Sequence, residues 1–146
     1  MSLIEDLKKQ KITLSFAESM TGGALASYLT SMPGASFVFK GSLVCYDNDV
    51  KTRLLGIPQS LIDTYGVVSK EVCQAMVEAC QKMFLSRLSV SVTGYADGTE
   101  KDIFIGIKED ETHIYHLVRN EQSRGEMIQE VVDFVYLKIQ ERLLFV

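Results

Sequence analysis

The sequence runs to 146 residues, 47% hydrophobic and 23% charged, with a formal net charge of -4. A chain of this length buries about 70% of its unfolded surface, so one domain over residues 1–146 is expected, and the acidic balance excludes a general phosphate-backbone binder, which needs a field of Lys and Arg. No apolar run approaches the ~20 residues that span a bilayer, and the Lys-rich N-terminus lacks the apolar stretch of a signal peptide. Together with three cysteines that form no C-x-x-C pair, this makes a cytoplasmic protein with neither nucleic acid nor membrane among its partners the expectation.

Leu3, Ile4 and Leu7 recur at helical spacing, and Ile12 to Phe16 then alternates as a short strand. From Thr21 the apolar residues Ala24, Leu25, Tyr28, Leu29 and Met32 make a helix of about three turns that stops at Pro33-Gly34. Phe37 to Tyr46 is aromatic and β-branched, which reads as a second strand, with Gly41-Ser42 allowing a bulge or a close approach to a ligand. Asp47-Asn48-Asp49 offers cap oxygens to a short helix carrying Val50, Lys51, Leu54 and Leu55, after which Gly56 and Pro58 open another turn of helix.

Ser69 caps a further helix with a stripe of Val72, Met76, Ala79, Cys80 and Met83, and Leu88 to Thr93 alternates as the third strand. Ile103 to Ile107 and His113 to Val118 flank a short connection and are expected as an antiparallel hairpin. The last helix, Ser123 to Leu143, has so wide an apolar face that a sheet or a second copy of the chain is needed to cover it, making a homo-oligomer an expectation. The fold class is therefore α/β: three layers, α/β/α, around a mixed, mainly parallel sheet of about five strands that ends in the hairpin.

Ligands of open α/β sheets collect where strands end and helices begin. Ser19-Met20-Thr21-Gly22-Gly23 is such a place, offering hydroxyls, free N–H groups and a positive dipole end to an anion; simple helix capping by Ser19 or Thr21 explains the same residues. Ser36, Tyr46 and Lys51 supply the residue types of a histidine-free Ser/Lys site, although spacing alone is equally compatible with a loop serine and a surface lysine. Thr93-Gly94 ends the third strand on what should be the same edge, and a turn at Asp97-Gly98 follows it. His113 and His116 point to opposite faces of a strand, so no shared metal ion is expected there.

Taken together, Ala17-Glu18-Ser19-x-Thr21-Gly22-Gly23, Leu29-Thr30-x-x-Pro33-Gly34-Ala35-Ser36-x-x-Phe39, Tyr46-x-Asn48-x-x-Lys51-x-x-x-Leu55-Gly56, Gly66-Val67-Val68-Ser69 and Val92-Thr93-Gly94 resemble the C-terminal domain of the CinA competence/damage-inducible family. The resemblance implies nicotinamide mononucleotide deamidase activity, in which the carboxamide is hydrolysed to nicotinate mononucleotide and ammonia without metal or cofactor. It implies Ser36 as nucleophile and Lys51 as base, with Ser19, Tyr46 and Thr93 at further active-site positions. Thr21, Gly22, Gly23 and Gly94 are the expected substrate-binding residues, for a small nucleotide. The molybdopterin-binding-like domain that precedes this one in longer members has no counterpart, so a stand-alone form is expected.

The resemblance weakens after Thr93. Members commonly read T-G-I-A-G-P before a glycine-rich stretch, where this chain has Thr93-Gly94-Tyr95-Ala96-Asp97-Gly98 and a shorter loop. A catalytically silent protein that binds a nucleotide or a partner is the alternative that this departure leaves open.

Overall fold

The computed structural model describes residues 2–144. Its centre is a five-stranded sheet in the order β2-β1-β3-β4-β5, formed by β1 (Leu14–Glu18), β2 (Phe39–Val44), β3 (Leu88–Gly94), β4 (Asp102–Lys108) and β5 (Thr112–Val118). β1 pairs in parallel with both β2 and β3, whereas β4 runs antiparallel to β3 and to β5. Parallel and antiparallel pairings are thus equal in number. Six helices, α1 (Leu3–Lys9), α2 (Ala24–Thr30), α3 (Asn48–Leu55), α4 (Gln59–Tyr65), α5 (Lys70–Phe84) and α6 (Arg124–Leu144), cover the two faces.

The pleat separates two cores. Leu14, Phe16, Val90, Val92, Ile103 and Ile105 turn to one side and pack with α1, α2 and α6. Ala17 turns to the other, where Cys45, Ile57, Ile62, Val72, Met76 and Cys80 gather from the α3 to α5 side. On that second side the central strands carry mostly small residues, and Ser15, Ser86 and Ser89 close a buried triangle of hydroxyls with edges of 2.5 to 2.7 Å. Burial pushes the Cys73 thiol up to about 12 and the Cys80 thiol to about 11. The two therefore serve as packing groups against Ser91 and Ser15.

Local chemistry explains the element boundaries. Ser2 and Glu5 form a reciprocal capping box at the start of α1. A left-handed Lys11 then turns the chain, so β1 begins at Leu14, two residues later than the alternation alone indicates. β2 bulges opposite the Leu14/Ser15 step. The close approach expected at Gly41 is to Phe84, whose ring carbon would lie 2.7 Å from an added Cβ, and not to a ligand.

The wide apolar face of α6 is spent within the chain. Met127, Val131, Val132, Val135, Tyr136 and Ile139 are buried in the first core, and the Tyr136 hydroxyl donates to the Leu25 carbonyl at 2.6 Å. That face therefore supplies no ground for self-association. None of the described helices is long and apolar enough to cross a membrane.

Candidate active site

Because β1, β2 and β3 run in the same direction, their carboxyl ends share one edge, and the turns leaving them form the walls of a pocket. The first wall is the turn after Glu18. This carboxylate is fully buried and accepts four hydrogen bonds. Oε1 takes the Thr21 hydroxyl at 2.8 Å and the Leu25 N–H at 2.9 Å; Oε2 takes the Ala26 N–H at 3.2 Å and the Ser42 hydroxyl at 2.7 Å. The start of α2 thus receives an anion, but one supplied by the chain itself.

Thr21, Gly22 and Gly23, expected to bind the substrate, stand apart from the pocket. Thr21 is buried on Glu18, Gly22 and Gly23 supply positive φ angles for the turn, and none of the three lines the pocket. What the turn does deliver is Ser19, 92% buried and facing Lys51.

Lys51 comes from the second wall. Asp47 caps α3 by accepting the Asp49 N–H at 2.8 Å, and Gly56 ends the helix in the left-handed conformation. Between these caps Lys51 and Leu55, one helical turn apart, are the residues that α3 buries. Lys51 is 1% exposed, and its Nζ lies 3.1 Å from Ser19 Oγ. Among the described residues no carboxylate is within ion-pair distance of it. Desolvation pushes the amine below its ordinary value, with Cys45 and Asp47 pulling weakly the other way.

Thr93 and Gly94, at the end of β3, form the floor with the α4–α5 connection. The Thr93 hydroxyl donates to the Val67 carbonyl at 2.9 Å, which fixes Val67 and Val68 as pocket lining. Gly94 faces Ile103 on β4 so closely that an added Cβ would fall 2.7 Å from the Ile103 side chain and 3.0 Å from its Cα. The cavity, open at its mouth, is about 210 Å³.

The mouth is bridged by three segments. Arg124, the first residue of α6, donates from Nε and Nη2 to the two Asp97 oxygens at 3.0 and 2.9 Å, and from Nη1 to the Tyr46 hydroxyl at 3.0 Å. Tyr46, expected at an active-site position, is 60% exposed and stands at the rim, with Arg124 as its hydrogen-bond partner among the described residues. Beneath the loop, Arg119 is buried and donates to the carbonyls of Gly98 and Glu100.

Ser36 is elsewhere. It is exposed on a 3₁₀ turn, Ala35–Phe37, that precedes β2, and it lines a separate depression with Thr30, Met32 and Phe39. Lys51 follows the other end of β2, about 20 Å away along a six-residue strand. The structure therefore pairs Lys51 with Ser19 and separates it from Ser36. Sequence reasoning passed over Glu18 and gave Arg124 no place in the site; the signals were a carboxylate at the end of an otherwise buried strand and an arginine opening the last helix. Among the described residues no cluster of His, Cys, Asp and Glu is built to hold a metal ion.

Fold and site together define an α/β/α domain with a histidine-free hydroxyl–amine pair at the carboxyl edge of its parallel strands. The chain belongs to the CinA C-terminal domain family, whose profile matches residues 1–143. It is 43% identical over 107 residues to a CinA-like protein of Prochlorococcus marinus subsp. pastoris, covering 72% of this chain and 25% of that protein. The chain spans about a quarter of the length of such CinA-like relatives. A crystal structure of a competence/damage inducible protein from Agrobacterium tumefaciens superposes with a TM-score of 0.89 at 25% identity, over 97% of this chain and 90% of the other. A CinA superfamily protein from Klebsiella pneumoniae 700603 reaches a TM-score of 0.91 at 18% identity, over 97% and 93% of the two chains, and establishes the fold alone.

Proposed function

We propose that the chain is an amidohydrolase that converts nicotinamide mononucleotide to nicotinate mononucleotide and ammonia, with Ser19 as nucleophile and Lys51 as general base. The observation that carries this reading is the 3.1 Å approach of a buried, carboxylate-free lysine amine to a buried serine hydroxyl inside a pocket. The choice of substrate rests on the family resemblance.

In the neutral form that burial favours, the Lys51 amine takes the Ser19 Oγ proton while Oγ bonds to the carboxamide carbon. The Met20 N–H, unpaired among the described residues, is the donor we assign to the resulting oxyanion. Lys51 then returns the proton to the amide nitrogen, the C–N bond breaks, and ammonia leaves an ester on Ser19. A water molecule gives one proton to Lys51 as its oxygen attacks that ester, that proton passes to Ser19 Oγ as the acyl–oxygen bond breaks, and the carboxylic acid departs and loses its remaining proton to solvent. At about 210 Å³ the cavity is smaller than the roughly 300–1,000 Å³ of pockets that enclose a whole drug-sized ligand. On this reading the carboxamide end of the ring enters the cavity beside Ser19, and ribose and phosphate extend toward the mouth.

The test is ammonia release from nicotinamide mononucleotide by the wild type and by Ser19→Ala, Lys51→Met and Ser36→Ala. Loss in the first two variants and retention in Ser36→Ala is expected. Loss in Ser36→Ala with retention in Ser19→Ala would return the nucleophile to Ser36, and no release from the wild type would end the amidase reading. The bridged mouth favours one second reading, a silent nucleotide-binding protein, for which nucleotide binding without ammonia release is the signature.

A further inference from the structure

The sheet has two edges, β2 and β5, and they are built differently. β2 is blunted: its register with β1 skips Lys40, which is exposed and is followed by Gly41. A bulge and a lysine are devices by which an edge avoids pairing with another strand. β5 has neither. Its residues, Thr112-His113-Ile114-Tyr115-His116-Leu117-Val118, include no proline, glycine, lysine, arginine or carboxylate, and their register with β4 is unbroken. Among the described residues no strand pairs with the far side of β5.

The ladder shows which backbone groups that edge offers. Hydrogen-bonded and non-hydrogen-bonded pairs alternate along antiparallel strands. The Arg119 N–H donates to the Lys101 carbonyl and the Glu109 N–H to the Glu111 carbonyl, so the odd-numbered residues of β5 are the ones bonded to β4. Thr112, Ile114, His116 and Val118 therefore turn their N–H and C=O groups outward. A second β5 laid antiparallel, with Tyr115 on the two-fold axis, brings Thr112 opposite the partner's Val118 and Ile114 opposite the partner's His116. Every outward N–H and C=O of both strands is then paired.

Charge agrees with this register. It sets Glu111, at the acidic turn, opposite the partner's Arg119, and among the described residues no carboxylate of the chain itself is within ion-pair distance of Arg119. Lys138, over the Tyr115 ring near the axis, is already paired with Glu141 at 3.1 Å.

We infer that the free edge of β5 is a homodimer interface, at which two copies of the chain join their sheets into one. The interface is isologous, each β5 meeting the same strand of its partner. It is distinct from the apolar face of α6, which the chain covers itself, and it stands independently of the amidase reading.

The experiment combines sedimentation equilibrium over a hundredfold dilution with cysteine cross-linking of the full chain. The wild type is expected at twice the monomer mass at the upper concentrations. Ile114→Pro removes an N–H that faces away from β4, a place where an edge strand tolerates proline. Because the change acts twice in the symmetric pair, it should raise the dissociation constant at least tenfold. Tyr115→Cys places two thiols at a non-hydrogen-bonded pair with Cα atoms about 4.5 Å apart, within disulfide reach. It should give a covalent dimer under mild oxidation, while the chain's own cysteines are buried. Val118→Cys, although more exposed, would stand about 20 Å from its symmetry mate and should stay monomeric on a non-reducing gel. A wild type of monomer mass throughout overturns the inference, as does cross-linking by Val118→Cys as readily as by Tyr115→Cys, or by neither. Circular dichroism checks the fold of each variant; should Ile114→Pro unfold, the contrast between the two cysteine variants decides alone.

Discussion

Lys51 Nζ and Ser19 Oγ lie 3.1 Å apart although 32 positions separate them in sequence, and both are buried. The parallel register of β1 and β2 is the cause. Glu18 pairs with Val44, and the Cys45 N–H donates to the Glu18 carbonyl at 2.7 Å, so the residue after Glu18 must meet whatever follows β2. The helix that follows is α3, and its buried face presents Lys51.

The first prediction concerns pH. The Lys51 amine titrates below its ordinary 10.5 because burial disfavours the charged form. Below the folded-state value both the folded and the unfolded chain carry the proton, and the desolvation penalty is fully present. Between that value and 10.5 the unfolded chain binds a proton that the folded chain lacks, so stability rises with pH; above 10.5 the penalty is gone. Urea unfolding from pH 7 to 10.5 should give a wild-type stability that climbs relative to Lys51→Met, and the variant should be neutral to about 2 kcal/mol more stable near pH 7. Ammonia release should rise along a limb set by the same group and vanish in the variant. A difference that stays flat with pH would mean that the amine is not held in a desolvated site.

The second prediction concerns Glu18. Each carboxylate oxygen accepts two hydrogen bonds, so Glu18→Gln turns an NH₂ group against two donors whichever way the amide is placed. Charge-assisted bonds are lost and buried donors are orphaned, at a cost of about 2–4 kcal/mol. The Ser19 turn loses its anchor as well. Urea midpoints should fall accordingly, and ammonia release should fall by at least tenfold; an unperturbed midpoint would contradict the four-bond arrangement.

Much of the architecture was legible from the chain. Period and punctuation mark the helices, and Leu88 to Thr93 alternates as a strand does, although both of its faces are buried, the small hydroxyl residues on one and the aliphatic ones on the other. The sheet order was not legible, and the site depends on it. Ser36 and Ser19 both precede Lys51 in plausible motifs, and only the pairing of β1 beside β2 decides which hydroxyl reaches the amine. Glu18 stands in the sequence only as one letter of a motif, and its role is visible once its four donors, from α2, β2 and the intervening turn, are assembled around it. The apolar width of α6 was read correctly, but its partner is the chain's own sheet.

The third prediction follows from Thr93. Thr93→Val keeps the shape and removes the donor to the Val67 carbonyl, costing about 1 kcal/mol for the lost bond. It also frees the Val67-Val68 wall. The KM for nicotinamide mononucleotide should rise severalfold with a smaller change in kcat, because Thr93 positions the wall and does not touch the reacting atoms. Thr93→Ser, which retains the donor, should recover most of both losses; a serine variant as impaired as the valine one would point to the methyl group's packing.

The fourth prediction concerns Gly94, which pairs with Ile103 across β3 and β4. A methyl group there meets Ile103 Cγ1 at 2.7 Å and the Ile103 Cα at 3.0 Å. The side-chain contact is relieved by a rotamer change, but the backbone contact is relieved only by separating the strands. Ile103 is fully buried in the first core, and overpacking of this kind costs about 1–3 kcal/mol. Gly94→Ala should lower the urea midpoint by that amount and impair turnover, because the strand that moves carries Thr93. Pairing it with Ile103→Ala removes the Cγ1 that the added methyl meets and should restore part of the stability, by roughly 0.5–1 kcal/mol relative to the sum of the single changes. Strict additivity of the two would show that the added methyl is accommodated elsewhere.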